Sequence, residues 1–236
     1  MTPKTLRAIL LDIEGTTTPI SFVHEVLFPY ARLHLSTYLH QHSDSPEVVA
    51  DLARLREEHS ADLTAGQQPP PLVEPYLYWL IDRDRKSPAL KSLQGKIWQQ
   101  GYNDGSLRAP IFEDVRPAME QWHDTGISVN IFSSGSVLAQ KLLFANSEAG
   151  DLTKFISSYF DTKVGKKTEA ESYRQIAATL SVAANEIHFI SDVTTELDAA
   201  HNAGMKTSLC VRPGNVAQEL SFRHKTIQSF NEIGDE

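Results

Sequence analysis

The chain has 236 residues, 41% hydrophobic and 22% charged, with a formal net charge of -8. That length accommodates one large domain, or a medium domain carrying a smaller one, and the acidity argues against neutralising nucleic-acid phosphates or docking on anionic lipid. The single cysteine, Cys210, excludes an internal disulfide framework. No run approaches the roughly 18 apolar residues that span a bilayer, and the N-terminus lacks a signal-peptide core, so the expectation is a cytoplasmic protein with small-molecule partners, no nucleic acid and no membrane.

In chain order, the first apolar run is "RAILLD", ending at Asp12. Three more follow: "GISVNIFSS" to Ser134, "EIHFISD" to Asp192 and "KTSLCVRPG" to Gly214. Their continuous apolar, often β-branched character predicts strands buried on both faces, the pattern of a parallel sheet. A shorter run, "FISSYFDTK", predicts one more strand between the second and third.

Helical patterns precede three of these strands: "DVRPAMEQWHDTG", "EAESYRQIAATLSV" and "TTELDAAHNAGM". Strands alternating with helices predict an α/β fold, a doubly wound parallel sheet. Residues from about 20 to 110 break the alternation with helical patterns over "VHEVLFPYARLHLSTYLHQH", "SPEVVADLARLREEHSADL" and "YLYWLIDRDRKSPALKSLQGKIWQQGY". This reads as a helical insert after the first strand, a candidate cap over the sheet's carboxyl edge. The expected division is a core of residues 1–19 and 111–236 and a cap of residues 20–110.

In an open parallel sheet, ligands bind beyond the carboxyl ends of the strands. Here those ends carry Asp12, Ser133 with Ser134, and Asp192. A lone strand-end aspartate is usually a cap or turn former, but three polar ends in one sheet point to a site. Asp12 and Asp192 offer hard oxygens to a magnesium ion, which usually takes one or two carboxylates, waters and a substrate phosphate. Beside such an ion the Asp12 carboxylate could attack phosphorus as a nucleophile.

Glu14 follows two positions on, and Gly15 has the φ freedom to turn both acids toward one cavity, where Glu14 could protonate the leaving oxygen. Ser133, with Ser134, could donate to phosphate oxygens, alongside backbone amides of "SSGS" at a strand-to-helix turn. The phosphate also wants a lysine, and Lys163, Lys166 and Lys167 are all available before a helix.

These residues resemble the haloacid dehalogenase-like phosphatases, whose four motifs match "DIEGT", "IFSSG", "GKK" and "SDVTTE" in order. The resemblance is closer to the enolase-phosphatase family of methionine salvage, through "DIEGTTTPISFVHEVLFPYAR", "DRDRKSPALKSLQGKIWQQGY" and "FDTKVGKKTEAESYRQIA". It implies a Rossmann-like core with a helical cap, one Mg2+ per chain and a monomer. It also implies conversion of 2,3-diketo-5-methylthiopentyl-1-phosphate, through an enol phosphate, to an acireductone. Carried over by motif, Asp12, the backbone carbonyl of Glu14 and Asp192 would hold the metal. Ser133, Ser134 and Lys167 would contact the substrate, and Asp12, Glu14 and Lys167 would be catalytic.

Glu14 stands where an aspartate is commoner in the wider superfamily, and Lys166 where a histidine is frequent in the narrower family. Glu196 takes the second-acid position of the last motif, with a role through water beside the metal, and Asp198 is a weaker candidate. Arg83, Arg85 and Lys86 in the insert could recognise substrate or form a solvated basic face, and Phe22 and His24 could line the cavity or pack. The alternatives are a phosphatase of the same fold acting on another small phosphorylated metabolite, a metal-free dehalogenase, and a non-catalytic phosphate-binding module.

Overall fold

The computed structural model describes residues 6–218 and 223–234. The chain divides into two compact units, Met1–Val23 with Arg108–Glu236, and His24–Leu107.

The first unit is built on a six-stranded sheet in the order β3-β2-β1-β4-β5-β6. Its strands are β1 (Ala8–Leu11), β2 (Ser128–Phe132), β3 (Ile156–Phe160), β4 (Ile187–Ser191), β5 (Lys206–Cys210) and β6 (Lys225–Ile227). Every pairing is parallel. All four residues of β1 are buried, as its unbroken apolar sequence predicts for a central strand covered on both faces. The "FISSYFDTK" run does form an edge strand, β3. The other edge, β6, has no apolar run to announce it, since two of its three residues are exposed.

The expected helices follow at α5 (Val115–Asp124), α7 (Ala170–Leu180) and α8 (Thr194–Asn202). In α5 the buried residues are Val115, Ala118, Met119 and Trp122, one stripe at helical spacing. The strand-to-helix turn after β2 opens α6 (Val137–Ala145), capped by Ser136, whose side chain accepts from the Ala139 amide. Leu10, Phe132, Tyr173, Ile176, Phe189 and Leu197 share one core cluster under α7 and α8. Cys210 is buried, and burial pushes its thiol up to about 12, so it behaves as an apolar residue.

Register places the site. Leu11 stands opposite Ile131 of β2 and Ile190 of β4. The residues just beyond, Asp12, Ser133 and Asp192, therefore emerge at one edge of the sheet.

The second unit is helical: α1 (Phe28–Gln41), α2 (Pro46–Thr64), α3 (Glu74–Asp82) and α4 (Pro88–Asn103). The long pattern over residues 76–102 is two helices rather than one. Pro88 holds Ser87 in an extended conformation, and the Ser87 hydroxyl caps α4 by accepting from the Leu90 amide at 3.0 Å. The interior gathers Leu35, Leu55, Tyr76, Leu77, Leu93 and Ile97, all fully buried. Arg85 is tied to Asp62 at 2.7 Å, and Arg83 lies over the Trp79 ring at 4.5 Å, so both have partners inside this unit. Among the described residues no helix is long and apolar enough to cross a membrane.

Candidate active site

The turn after β1 is built by its own hydrogen bonds. The amides of Thr16, Thr17 and Thr18 all point to the Ile13 carbonyl, at 3.2, 2.9 and 3.1 Å. Gly15 takes φ +68°, and a Cβ there would lie 2.7 Å from Cγ of Asp192 and 2.8 Å from Oδ1 of Asn215. Glycine is therefore needed twice, for its left-handed backbone and for the close approach of the Asp192 carboxylate. Glu14, half-buried, sits in this turn and bridges to Thr18.

Asp12 is buried at the end of β1, its amide donating to the Ile190 carbonyl at 3.0 Å. Lys167 Nζ lies 2.6 Å from Asp12 Oδ1 and 2.6 Å from Glu196 Oε2, so one ammonium joins two acids. Sequence position left three lysines open, and the fold separates them. Lys166 is 80% exposed and paired with Glu169, and Lys163 is exposed, whereas the Lys167 side chain is 7% exposed. The turn carrying it is pinned to α7: Tyr173 donates to the Lys167 carbonyl and Ser172 to that of Lys166, both at 2.7 Å.

Burial alone would push the Lys167 ammonium down, but Asp12 and then Glu196 outweigh it and hold it above its ordinary value. Asp192 is pushed up to about 7, first by burial and then by Asp12, with Lys167 opposing. Glu196 is likewise pushed up to about 7 by burial and by Asp12. Three acids share one buried base, which marks a place prepared for further positive charge.

Ser133 is buried at the end of β2, and its hydroxyl oxygen accepts from the Gly135 amide at 3.1 Å, leaving its O–H to serve as a donor. Ser134 is exposed beside it. Gln140, a residue the sequence did not single out, holds this turn by donating to the carbonyls of Gly135 and Phe160 at 2.9 and 2.8 Å. Ser191 was also missed: its hydroxyl donates to Glu196 Oε2 at 3.1 Å and lies 3.4 Å from Asp12 Oδ2. A polar residue ending a strand one position before Asp192 was the available signal.

Some candidates lie elsewhere. Asp198 pairs with His224 at 3.1 Å, on the side of α8 away from Lys167. Phe22 packs in the core of the first unit, while exposed His24 stacks near Phe28 within the second.

Among the described residues no group of three or more His, Cys, Asp or Glu side chains stands ready to hold a metal. A set of two carboxylates and one backbone carbonyl contains only two such side chains. The donor chemistry fits magnesium: hard oxygens, an excess of negative charge, and a cradle at Gly15 lined by Asp192 and the buried Oδ1 of Asn215, which has no hydrogen-bond partner among the described residues.

Residues 6–204 match the model of the haloacid dehalogenase-like hydrolases. Along 98% of its length the chain is 50% identical to the enolase-phosphatase E1 of Synechococcus elongatus, covering 99% of that protein. The chain belongs to the enolase-phosphatase E1 family. The family member of Sorangium cellulosum is 45% identical over 96% of this chain and 97% of its own length. The crystal structure of the UTR4 protein of Saccharomyces cerevisiae superposes with a TM-score of 0.80 at 35% identity, over 97% of this chain and 100% of that one. The fold is thus the haloacid dehalogenase-like one, a Rossmann-like parallel sheet with a helical cap inserted after β1, and the protein is an enzyme. Hydrolases of this superfamily generally act on small phosphorylated molecules with Mg2+.

Proposed function

We propose that the enzyme converts 2,3-diketo-5-methylthiopentyl-1-phosphate to an enol phosphate, and this to 1,2-dihydroxy-3-keto-5-methylthiopentene and phosphate, as a step of methionine salvage. The observation that carries the reading is identity of up to 50% to enolase-phosphatases over nearly the whole chain. The buried Asp12–Lys167–Glu196 cluster at the sheet edge supports it.

In this reading the phosphate is held by the hydroxyls of Ser133 and Ser134 and by the ammonium of Lys167, which its acidic neighbours keep protonated. Asp12, the backbone carbonyl of Glu14 and Asp192 hold Mg2+. When bound, the ion supplies positive charge against the phosphate and polarises a ketone oxygen of the substrate.

Enolisation moves a carbon-bound proton next to the diketone onto a ketone oxygen, with Glu14 relaying it. An oxygen of Asp12 then forms a bond to phosphorus as the bond from phosphorus to the substrate oxygen breaks. The departing oxygen keeps the electron pair and takes a proton from Glu14. Water then attacks the phosphorus of the aspartyl-phosphate while giving a proton to the Glu14 carboxylate; the bond from phosphorus to Asp12 breaks, inorganic phosphate leaves, and the Asp12 carboxylate and the Glu14 acid are restored.

One assay tests the reading: the diketo phosphate with Mg2+ and then with a chelator, following phosphate and the ultraviolet absorbance of the enediol together. Both signals should appear with Mg2+ and vanish with chelator. Phosphate released only from other esters would overturn the substrate assignment.

A further inference from the structure

We infer that Asn215, in the loop after β5, is a positioning residue for the catalytic turn, acting through the backbone carbonyl of Gly15; the inference rests on the function proposed above and deepens it. The Asn215 amide nitrogen donates to the Gly15 carbonyl at 2.9 Å and reaches the Cys210 carbonyl at 3.4 Å. Those two carbonyls fix which way the amide faces, because the flipped group would set its oxygen against both. Oδ1 consequently turns to the cradle at Gly15, where the Asp192 carboxylate also converges. It is buried without a hydrogen-bond partner among the described residues.

The next carbonyl of the same turn is gripped from the same loop. Arg212, buried, donates through Nε to the Thr16 carbonyl at 3.2 Å, and its other nitrogens reach the Gln228 carbonyl at 2.8 Å and Asp114 Oδ2 at 2.9 Å. Its guanidinium lies 4.6 Å from the Phe112 ring centre and 4.9 Å from that of Phe230. Asp114 is itself fixed by the Phe230 amide at 2.6 Å and the Ser229 hydroxyl at 3.2 Å. The backbone N–H of Asn215 donates to the Arg212 carbonyl at 3.2 Å, so the two gripping residues close one turn.

Two successive carbonyls beside Glu14 are therefore held by side chains of one loop, Arg212 buried and Asn215 half-buried. This matters because Gly15 has the widest backbone freedom in the turn, and the Glu14 carbonyl, in the peptide before it, keeps its direction only while the peptide after it is held and the two Gly15 dihedrals cannot counter-rotate. Holding the Gly15 carbonyl removes that freedom before substrate arrives.

The test uses the full chain, with p-nitrophenyl phosphate as an ester that needs the nucleophile but no enolisation, and Mn2+ titrated directly by electron paramagnetic resonance. Asn215→Ala should lower kcat and weaken Mn2+ binding, each by about 10- to 100-fold, the usual scale for groups that orient metal ligands. Its melting temperature should move by less than about 4 °C. Asn215→Asp keeps the shape and Oδ1 but has no N–H for the Gly15 carbonyl, so its kcat should be no better than that of the alanine variant. Wild-type kcat in Asn215→Asp would show that only side-chain volume matters and would overturn the inference. Undiminished Mn2+ binding in Asn215→Ala would overturn it too, as would activity lost only in step with a larger fall in melting temperature. Should the wild type turn over the ester but not the diketo phosphate, the substrate reading fails while the positioning role is judged on the same variants.

Discussion

The helical unit and the sheet edge bury charge in opposite ways. In the helical unit each buried acid meets its match: Asp51 takes the Lys96 ammonium, which Ser92 also accepts from at 2.9 Å, and Asp62 takes Arg85 at 2.7 Å and the Tyr76 hydroxyl at 2.8 Å. At the sheet edge, Asp12 and Glu196 both pair with Lys167, and Asp192 interacts with the same ammonium, so among the described ion pairs the acids outnumber the base. Closed pairs fix a packing arrangement, whereas an unbalanced cluster keeps a desolvation cost that only an incoming cation or ligand can offset. The balance of buried charge thus separates scaffold from site before any chemistry is considered.

The comparison breaks most severely at Asp12. Asp12→Asn keeps the shape but cannot form the aspartyl-phosphate, and phosphate release should fall by roughly 10^4-fold or more, measured under single turnover. Because the change removes one negative charge from a crowded cluster, the melting temperature should not fall with it. Full turnover by this variant would remove the covalent route.

Lys167→Met should be nearly as damaging to activity and far more so to stability, since it leaves Asp12 and Glu196 without their ion-pair partner. Removing one partner of a buried pair costs about 3–5 kcal/mol, read by urea unfolding. Lys166→Ala, which deletes an exposed ammonium, should leave both quantities within a factor of two of the wild type. Equal losses in the two lysine variants would undo the assignment of Lys167. In the helical unit, Lys96→Met should cost about 3 kcal/mol by leaving Asp51 unpaired, yet turnover per folded molecule should be unchanged. A selective loss of kcat there would mean that its buried pairs do more than hold helices.

Glu14→Gln separates the two halves of the reaction. Loss of enolisation with phosphate release from a pre-formed enol ester intact would confine Glu14 to the first proton, and loss of both would give it two. Unaltered rates in both steps would leave Glu14 with neither.

How much of this was legible in the sequence follows from what burial does to a pattern. β1, β2, β4 and β5 could be read because a strand covered on both faces is predominantly apolar, and β6 could not, because exposed Lys225 and Thr226 leave it no apolar run. Asp12, Ser133 and Asp192 were legible as polar interruptions at strand ends, which register then gathers at one edge. Position alone did not separate Lys167 from Lys163 and Lys166, and only the family motif chose it; the physical reason is the pair of hydroxyls, Tyr173 and Ser172, that fold its turn onto α7. Gln140, Arg212 and Asn215 stayed hidden because they act on backbone carbonyls, which leave no trace in residue type, and for Arg212 and Asn215 those carbonyls lie far away in the chain. The split of the 76–102 pattern into α3 and α4 was there to be read at Ser87–Pro88.

A third kind of polar group sharpens the comparison with the smallest expected effect. His188, the second residue of β4 and half-buried, has no acid to pair with among the described residues and no role at the strand end; its Nε2 contacts the Ser208 hydroxyl at 2.8 Å. Burial, and then the nearby ammonium groups of Lys206 and Lys225, push it down to about 4. The unfolded chain takes up the proton near its ordinary value of about 6.5, so below that pH the unfolded state binds more protons than the folded one. Stability supplied by the neutral ring is complete above about pH 6.5 and drains away as pH falls toward 4, by about 2 kcal/mol at pH 5. His188→Gln, which cannot titrate, should flatten that slope in urea unfolding between pH 7 and 5. The titrations of the site acids at the sheet edge should persist in the variant, because His188 is not among the groups that set them. An unchanged slope would place the acid sensitivity of the fold in the unbalanced cluster rather than in the sheet's interior.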